Sequence, residues 1–135
     1  MFKRLLVPLA FEEGHDPTPA LELAQRLAAD QPEIVLLHVV EPVPPYAIHY
    51  IPEDLVAATR DGVRAELDRL AAGLTGGRGE LVEGHPGRAI LETAEALGTD
   101  CIVISGHRPG VQDFLLGSTA AHVVRHAPCS VMVLR

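Results

Sequence analysis

The sequence predicts an α/β fold, a five-stranded parallel sheet with helices on both faces. Two observations carry this. Short apolar runs rich in leucine and β-branched residues (LLVPL, EIVLLHVV, DCIVIS, SVMVLR) recur at intervals too long for hairpins. Between them lie stretches whose apolar residues repeat at helical spacing. The 135 residues contain no internal repeat, linker or low-complexity tract, so residues 1–135 are expected to form one domain.

Each element can be argued in turn. Residues 3–9 read as a mostly buried first strand, followed by a polar loop over 12–17. Thr18 and Pro19 supply an N-cap and a proline at the first helical position. Ala20, Leu23, Ala24 and Leu27 then share one face until Pro32 ends the stretch. Residues 33–40 form a second strand suited to burial on both sides. A proline-rich loop over 41–52 holds Tyr46, His49 and Tyr50. Glu53 begins a long helix with Leu55, Thr59, Val63, Leu67, Leu70 and Leu74 on one face, ended by Gly76 and Gly77. Gly62 weakens that helix by about 1 kcal/mol relative to alanine. Residues 80–83 are a short third strand. Pro86 opens a third helix that turns Ile90, Leu91, Ala94 and Leu97 inward and stops at Gly98. Residues 100–105 are the fourth strand. A glycine-bearing loop over 105–110 follows, and Gly117, Ser118 and Thr119 open a last helix that Pro128 stops. The final strand runs from Val131 to Arg135.

Bulk composition excludes several classes. A net charge of −7 and an isoelectric point near 5.4 argue against binding a nucleic-acid polymer or an acidic membrane surface. A mean hydropathy of +0.19 is too apolar for a disordered chain. No apolar run approaches the roughly 18 residues of a membrane span. MFKRLLVPLAF is broken by Pro8 and too short for a secretory signal, so the expected location is the cytoplasm. Cys101 and Cys129 sit in apolar strand contexts without a CxxC pair and read as buried, reduced thiols.

In doubly wound sheets a ligand lies beyond the carboxyl ends of the strands, where strand order reverses. The loops after strands one and four are the expected pair. The sole lysine is Lys3, so a GxxxxGK[ST] phosphate loop is excluded, and no GxGxxG follows the first strand. What remains is Gly117, Ser118 and Thr119. Glycine lets a ligand approach the backbone closely. The two hydroxyls stand beside the free N–H groups of the first helical turn, a place where phosphate can be held. Arg108 adds a charge-assisted contact. On spacing alone the same residues read more readily as an ordinary helix start with Ser118 as N-cap. His122 and His126 share a helix face but lack a third ligand, so no metal site is expected. His38 reads as a hydrogen-bonded core histidine, and Asp16, Glu41 and Asp113 as solvated loop charges beside the cleft. No Ser-His-Asp or Cys-His set assembles, so no catalytic residue is expected.

With these residues laid out, the chain resembles the universal stress protein family, in its small single-domain branch. LLVPL, IVLLHVV, GHPGRAILETAEALGTDCIVIS and LLGSTAAHVVRHAPCSVMVLR carry the resemblance across the whole chain. It implies an adenine nucleotide alpha hydrolase-like fold with flavodoxin-like layering. It also implies binding of ATP, with or without magnesium, or of a related adenine nucleotide. Positions matching family contacts are Pro8, Val39, Val103, Gly117, Ser118 and Thr119. With Leu9, Ala10, Ser105, Gly106, His107, Arg108 and Gly110 they make up the expected nucleotide site. The family motif Gly-x2-Gly-x9-Gly-Ser/Thr falls on Ile104 and His107 at its first two glycines, with Gly106 and Gly110 nearby. Ala10 stands where the family carries an acid, which removes a hydrogen-bond acceptor together with a negative charge near the phosphates.

The resemblance further implies a homodimer. The last strand is an apolar edge without proline or lysine, and two-fold pairing there is self-complementary. The expected role is that of a cytoplasmic stress-response protein acting by sensing or protein interaction. A nucleotide-free interaction module of the same fold and a weak ATP hydrolase are the alternatives, the latter needing metal and water ligands that Ala10 does not supply.

Overall fold

The computed structural model describes residues 1–12, 14–106 and 116–135. Along the chain lie β1 (Phe2–Pro8), α1 (Thr18–Leu27), β2 (Ala28–Val40), α2 (Glu53–Ala72), β3 (Gly77–Glu83), α3 (Pro86–Leu97), β4 (Cys101–Ser105), α4 (Ser118–His126) and β5 (Ser130–Leu134). All strand pairings are parallel, in the order β3-β2-β1-β4-β5. The chain builds outward from β1 through β2 to β3, then returns to lay β4 on the other side of β1. The switch point therefore falls between β1 and β4, and β5 forms an edge.

Strand alternation divides the core in two. On one face Leu5, Val7, Ile34 and Leu36 pack with Ala24 of α1 and Leu67 of α2. On the other, Leu6, Val35 and Leu37 pack with Ile90 and Ala94 of α3 and Val123 of α4. Both faces are covered, which is why β1, β2 and β4 are continuous apolar runs rather than alternating ones.

Several boundaries differ from the sequence reading, each for a local reason. Helix α1 ends at Leu27, and the chain is extended well before Pro32. Phe2 pairs with Ala28 but Arg4 with Glu33, so β2 carries extra residues in an irregular stretch where Gln31 takes φ 53°. Proline disfavours helix in the residue before it, consistent with an early stop. Helix α2 ends at Ala72, with Gly73 as its cap. Gly76 and Gly77 instead bring the chain into β3, which begins three residues before Glu80. A Cβ on Gly76 would stand 1.9 Å from the Pro32 carbonyl oxygen, and Ile34 N–H donates to the Gly76 carbonyl at 2.9 Å. These glycines allow β3 to lie against β2. Thr18 and Ser118 are first helical residues rather than N-caps; Pro17 and Gly117 hold the cap positions. Gly98 closes α3 in the left-handed conformation, φ 65°, as the sequence implied.

Candidate functional site

β1 and β4 end side by side, and beyond them opens a cavity of about 510 Å3. Its volume falls within the usual range for a small-molecule site. Pro8, Leu9 and Ala10 approach it from the end of β1, and Ser105 with Ile104 from the end of β4. Leu37, His38 and Val39 of β2 form another wall, and Pro86 and Ile90 of α3 a further one. Gly117, Ser118 and Thr119 close it at the start of α4.

The α4 start is built by hydrogen bonds to the sheet. Gly106 N–H donates to the Leu134 carbonyl at 2.6 Å, and Gly117 N–H donates to the Gly106 carbonyl at 2.6 Å. Gly117, extended at φ −60° and ψ 153°, then accepts the Ala121 N–H at 2.9 Å. The first N–H groups of α4 consequently have no intrahelical acceptor, and the helix dipole places partial positive charge at the cavity. An anion seated there gains directed donors without needing a side-chain charge.

The opposite wall is fixed by β1. Leu9 N–H donates to the Leu37 carbonyl at 2.7 Å, and His38 Nδ1 bonds the Leu9 carbonyl at 2.8 Å. A carbonyl only accepts, so His38 carries its proton on Nδ1, and in the neutral ring Nε2 is an acceptor. The Phe11 ring meets His38 edge-on, with centroids 5.1 Å apart. His38 is thus hydrogen-bonded as expected, but it stands partly exposed in the cavity wall rather than in the core.

The structure brings together Pro8, Leu9, Ala10, Val39, Ser105, Gly117, Ser118 and Thr119 at this cavity. Val103 is not among them. It is fully buried in the core on the α1 and α2 face, and its neighbour Ile104 faces the cavity instead. Gly106 is also away from the wall. A Cβ there would meet Val133 Cγ1 at 2.8 Å and the Leu134 carbonyl oxygen at 3.0 Å, so this glycine lets β4 pass close to β5. His107, Arg108, Gly110 and Asp113 lie outside the described residues. Glu41 borders the cavity, whereas Asp16 faces an adjoining one and accepts the Thr18 N–H at 3.0 Å, which holds its carboxyl below the usual range. Leu37, Pro86, Ile90 and His15 are wall residues that sequence reasoning did not pick out. Leu37 and Ile90 carry the periodicity of core positions, and nothing in periodicity separates a core face from a pocket wall.

Other reactive groups stand elsewhere. Cys101 and Cys129 are unpaired thiols. Burial, reinforced by Cys129 and Asp100, pushes the Cys101 thiol up to about 11, far from a nucleophilic thiolate at neutral pH. The rings of His122 and His126 lie 4.7 Å apart and that of His85 is 6.3 Å from His122. Among the described residues no group of three or more such side chains is arranged to hold a metal ion, and no helix is long and apolar enough to cross a membrane.

A five-stranded parallel sheet in this order, with a helix N-terminus opening on a cavity at its switch point, is a doubly wound α/β fold with room for a small ligand. The profile of the Universal stress protein family matches residues 1–135, and the chain belongs to that family. A universal stress protein of Thermus aquaticus, from the 3′ region of QAH/OAS sulfhydrylase, is 36% identical over 141 residues, covering 100% of both chains. The solved universal stress protein UspA of Lactobacillus plantarum is 27% identical with a TM-score of 0.73, covering 98% of this chain and 97% of that one. Two more distant structures share the fold. One is the universal stress protein of Archaeoglobus fulgidus in complex with dAMP, at 15% identity and TM-score 0.68 with 98% of each chain covered. The other is a universal stress protein in complex with cAMP, at 18% identity and TM-score 0.70 with 99% and 97% covered.

Proposed function

We propose that the cavity binds an adenine nucleotide, ATP or a close relative, and that the protein acts by sensing it or by docking to other proteins rather than by turnover. The observation that carries this reading is the first turn of α4, with Gly117, Ser118 and Thr119 opening onto a cavity that also has apolar walls. The purine fits against Leu37, Val39 and Ile90, and the phosphates take the helix N–H groups. Support also comes from the dAMP and cAMP complexes of distant relatives with this fold.

Ala10 weighs against hydrolysis. It presents a methyl group where a carboxylate would hold a metal-bound water. Magnesium would arrive on the nucleotide's own phosphates. We further assign the protein to the cytoplasm as a homodimer joined along β5, an edge strand whose Met132 is 41% exposed.

Calorimetric titration of nucleotide-free protein with ATP and with AMP, each with and without magnesium, tests the reading. Saturable binding of either nucleotide supports it. Absence of binding at millimolar nucleotide rejects it and leaves the nucleotide-free interaction module. Light scattering at micromolar protein tests the dimer, and a monomer mass would contradict it.

A further inference from the structure

The loop between β1 and α1 carries a histidine with a ring nitrogen that no described residue engages. His15 N–H donates to the Glu12 carbonyl at 3.1 Å, closing a turn beside the cavity. The residue borders the 510 Å3 cavity and also the adjoining one of about 370 Å3; Ser105 is likewise shared by both. His15 Nε2 is buried and has no hydrogen-bond partner among the described residues. The adjacent carboxylate of Asp16 has its Oδ1 engaged by Thr18 N–H. Buried side-chain nitrogens are normally satisfied, so an orphan at the junction of two cavities calls for a reason.

We propose that His15 is a ligand-binding residue whose Nε2–H donates to a phosphate oxygen of the bound nucleotide; this rests on the nucleotide reading above. Three features favour it. The desolvation of Nε2 is already incurred in the free protein, so a bond to ligand is gained without a fresh penalty on the protein side. His15 lines both cavities, so a ligand in either one meets this residue. His15 and Ser105 each line both cavities, while Leu37, Val39 and Ile90 offer a purine apolar surface on the larger one. Of the nucleotide's groups the phosphate is the charged acceptor, and a charged acceptor makes the strongest use of an N–H donor.

The test compares AMP with adenosine on wild-type protein, His15→Ala and His15→Gln, each variant checked by thermal melting. His15→Ala is expected to weaken AMP about tenfold or more and to leave adenosine unchanged. His15→Gln, whose amide nitrogen sits near the Nε2 position, is expected to retain most of the AMP affinity and carries the comparison if the alanine variant melts early. Equal AMP affinity in wild type and His15→Ala overturns this inference alone. Equal losses for AMP and adenosine overturn it too, since they make His15 a packing residue. Failure of wild-type protein to bind AMP at all overturns the nucleotide reading and this inference with it.

Discussion

The carbonyl of Gly106 accepts the N–H of Gly117 at 2.6 Å, joining the end of β4 directly to the start of α4. The same residue donates to Leu134 of β5, so one glycine sets both the cavity's closing helix and the edge strand. A side chain at Gly106 collides with Val133 and the Leu134 carbonyl. Gly106→Val is expected to cost about 1–3 kcal/mol, the usual penalty of overpacking, and to weaken nucleotide binding by displacing α4. Urea unfolding and a nucleotide titration of the same sample check both effects.

Thr119→Glu separates the stability of α4 from the proposed nucleotide binding. A carboxylate in the first turn of α4 interacts favourably with the helix dipole, worth about 0.3–1 kcal/mol. It also places negative charge in the cavity wall. The expected outcome is an unchanged or slightly raised melting temperature together with at least tenfold weaker ATP binding. A variant that binds ATP as wild type does would remove the phosphate from this helix end.

Asp100 fastens the first strand. Its carboxylate accepts the N–H groups of Lys3 and Arg4 at 2.9 and 3.0 Å, beside β4. Asp100→Ala is expected to destabilise by about 0.5–1.5 kcal/mol, read as a lower urea midpoint, because two exposed hydrogen bonds are exchanged for water. Asp100→Asn, which keeps one acceptor oxygen, is expected to fall between.

How much of this was legible in the sequence depends on what each residue type can mean. β1, β2 and β4 stood out because covered faces demand uninterrupted apolar residues. Gly76 and Gly77 were read as a helix stop, whereas they admit β3 to the side of β2; glycine marks both uses alike. Val103 and Ile104 show the same limit at the site. They point to opposite faces of one strand, and an unbroken apolar run gives no phase by which to choose. The ends of β1 and the start of α4 were legible because proline, glycine and hydroxyl residues there have local meanings. His15 was missed because a loop has no period, so only the folded chain shows its nitrogen beside a cavity.

The core thiol gives a pH signature. Cys101 is 1% exposed and titrates near 11 in the folded chain against 9.0 for an ordinary thiol. The folded state thus holds its proton where the unfolded state releases it. The stability it contributes is present below about pH 9 and declines as pH rises from 9 toward 11. Cys101→Ala is expected to flatten that part of the stability profile. Alkylation of Cys101 at pH 8 is expected to follow global unfolding, which quenched mass spectrometry across a urea series would measure.

The central claim is that nucleotide sits between the end of β1 and the start of α4. Amide chemical-shift mapping of isotope-labelled protein titrated with ATP tests it most directly. The account predicts saturable shifts concentrated at Ala10, Val39, Ser105, Gly117, Ser118 and Thr119. Shifts centred on another surface, or none at millimolar ATP, would contradict it.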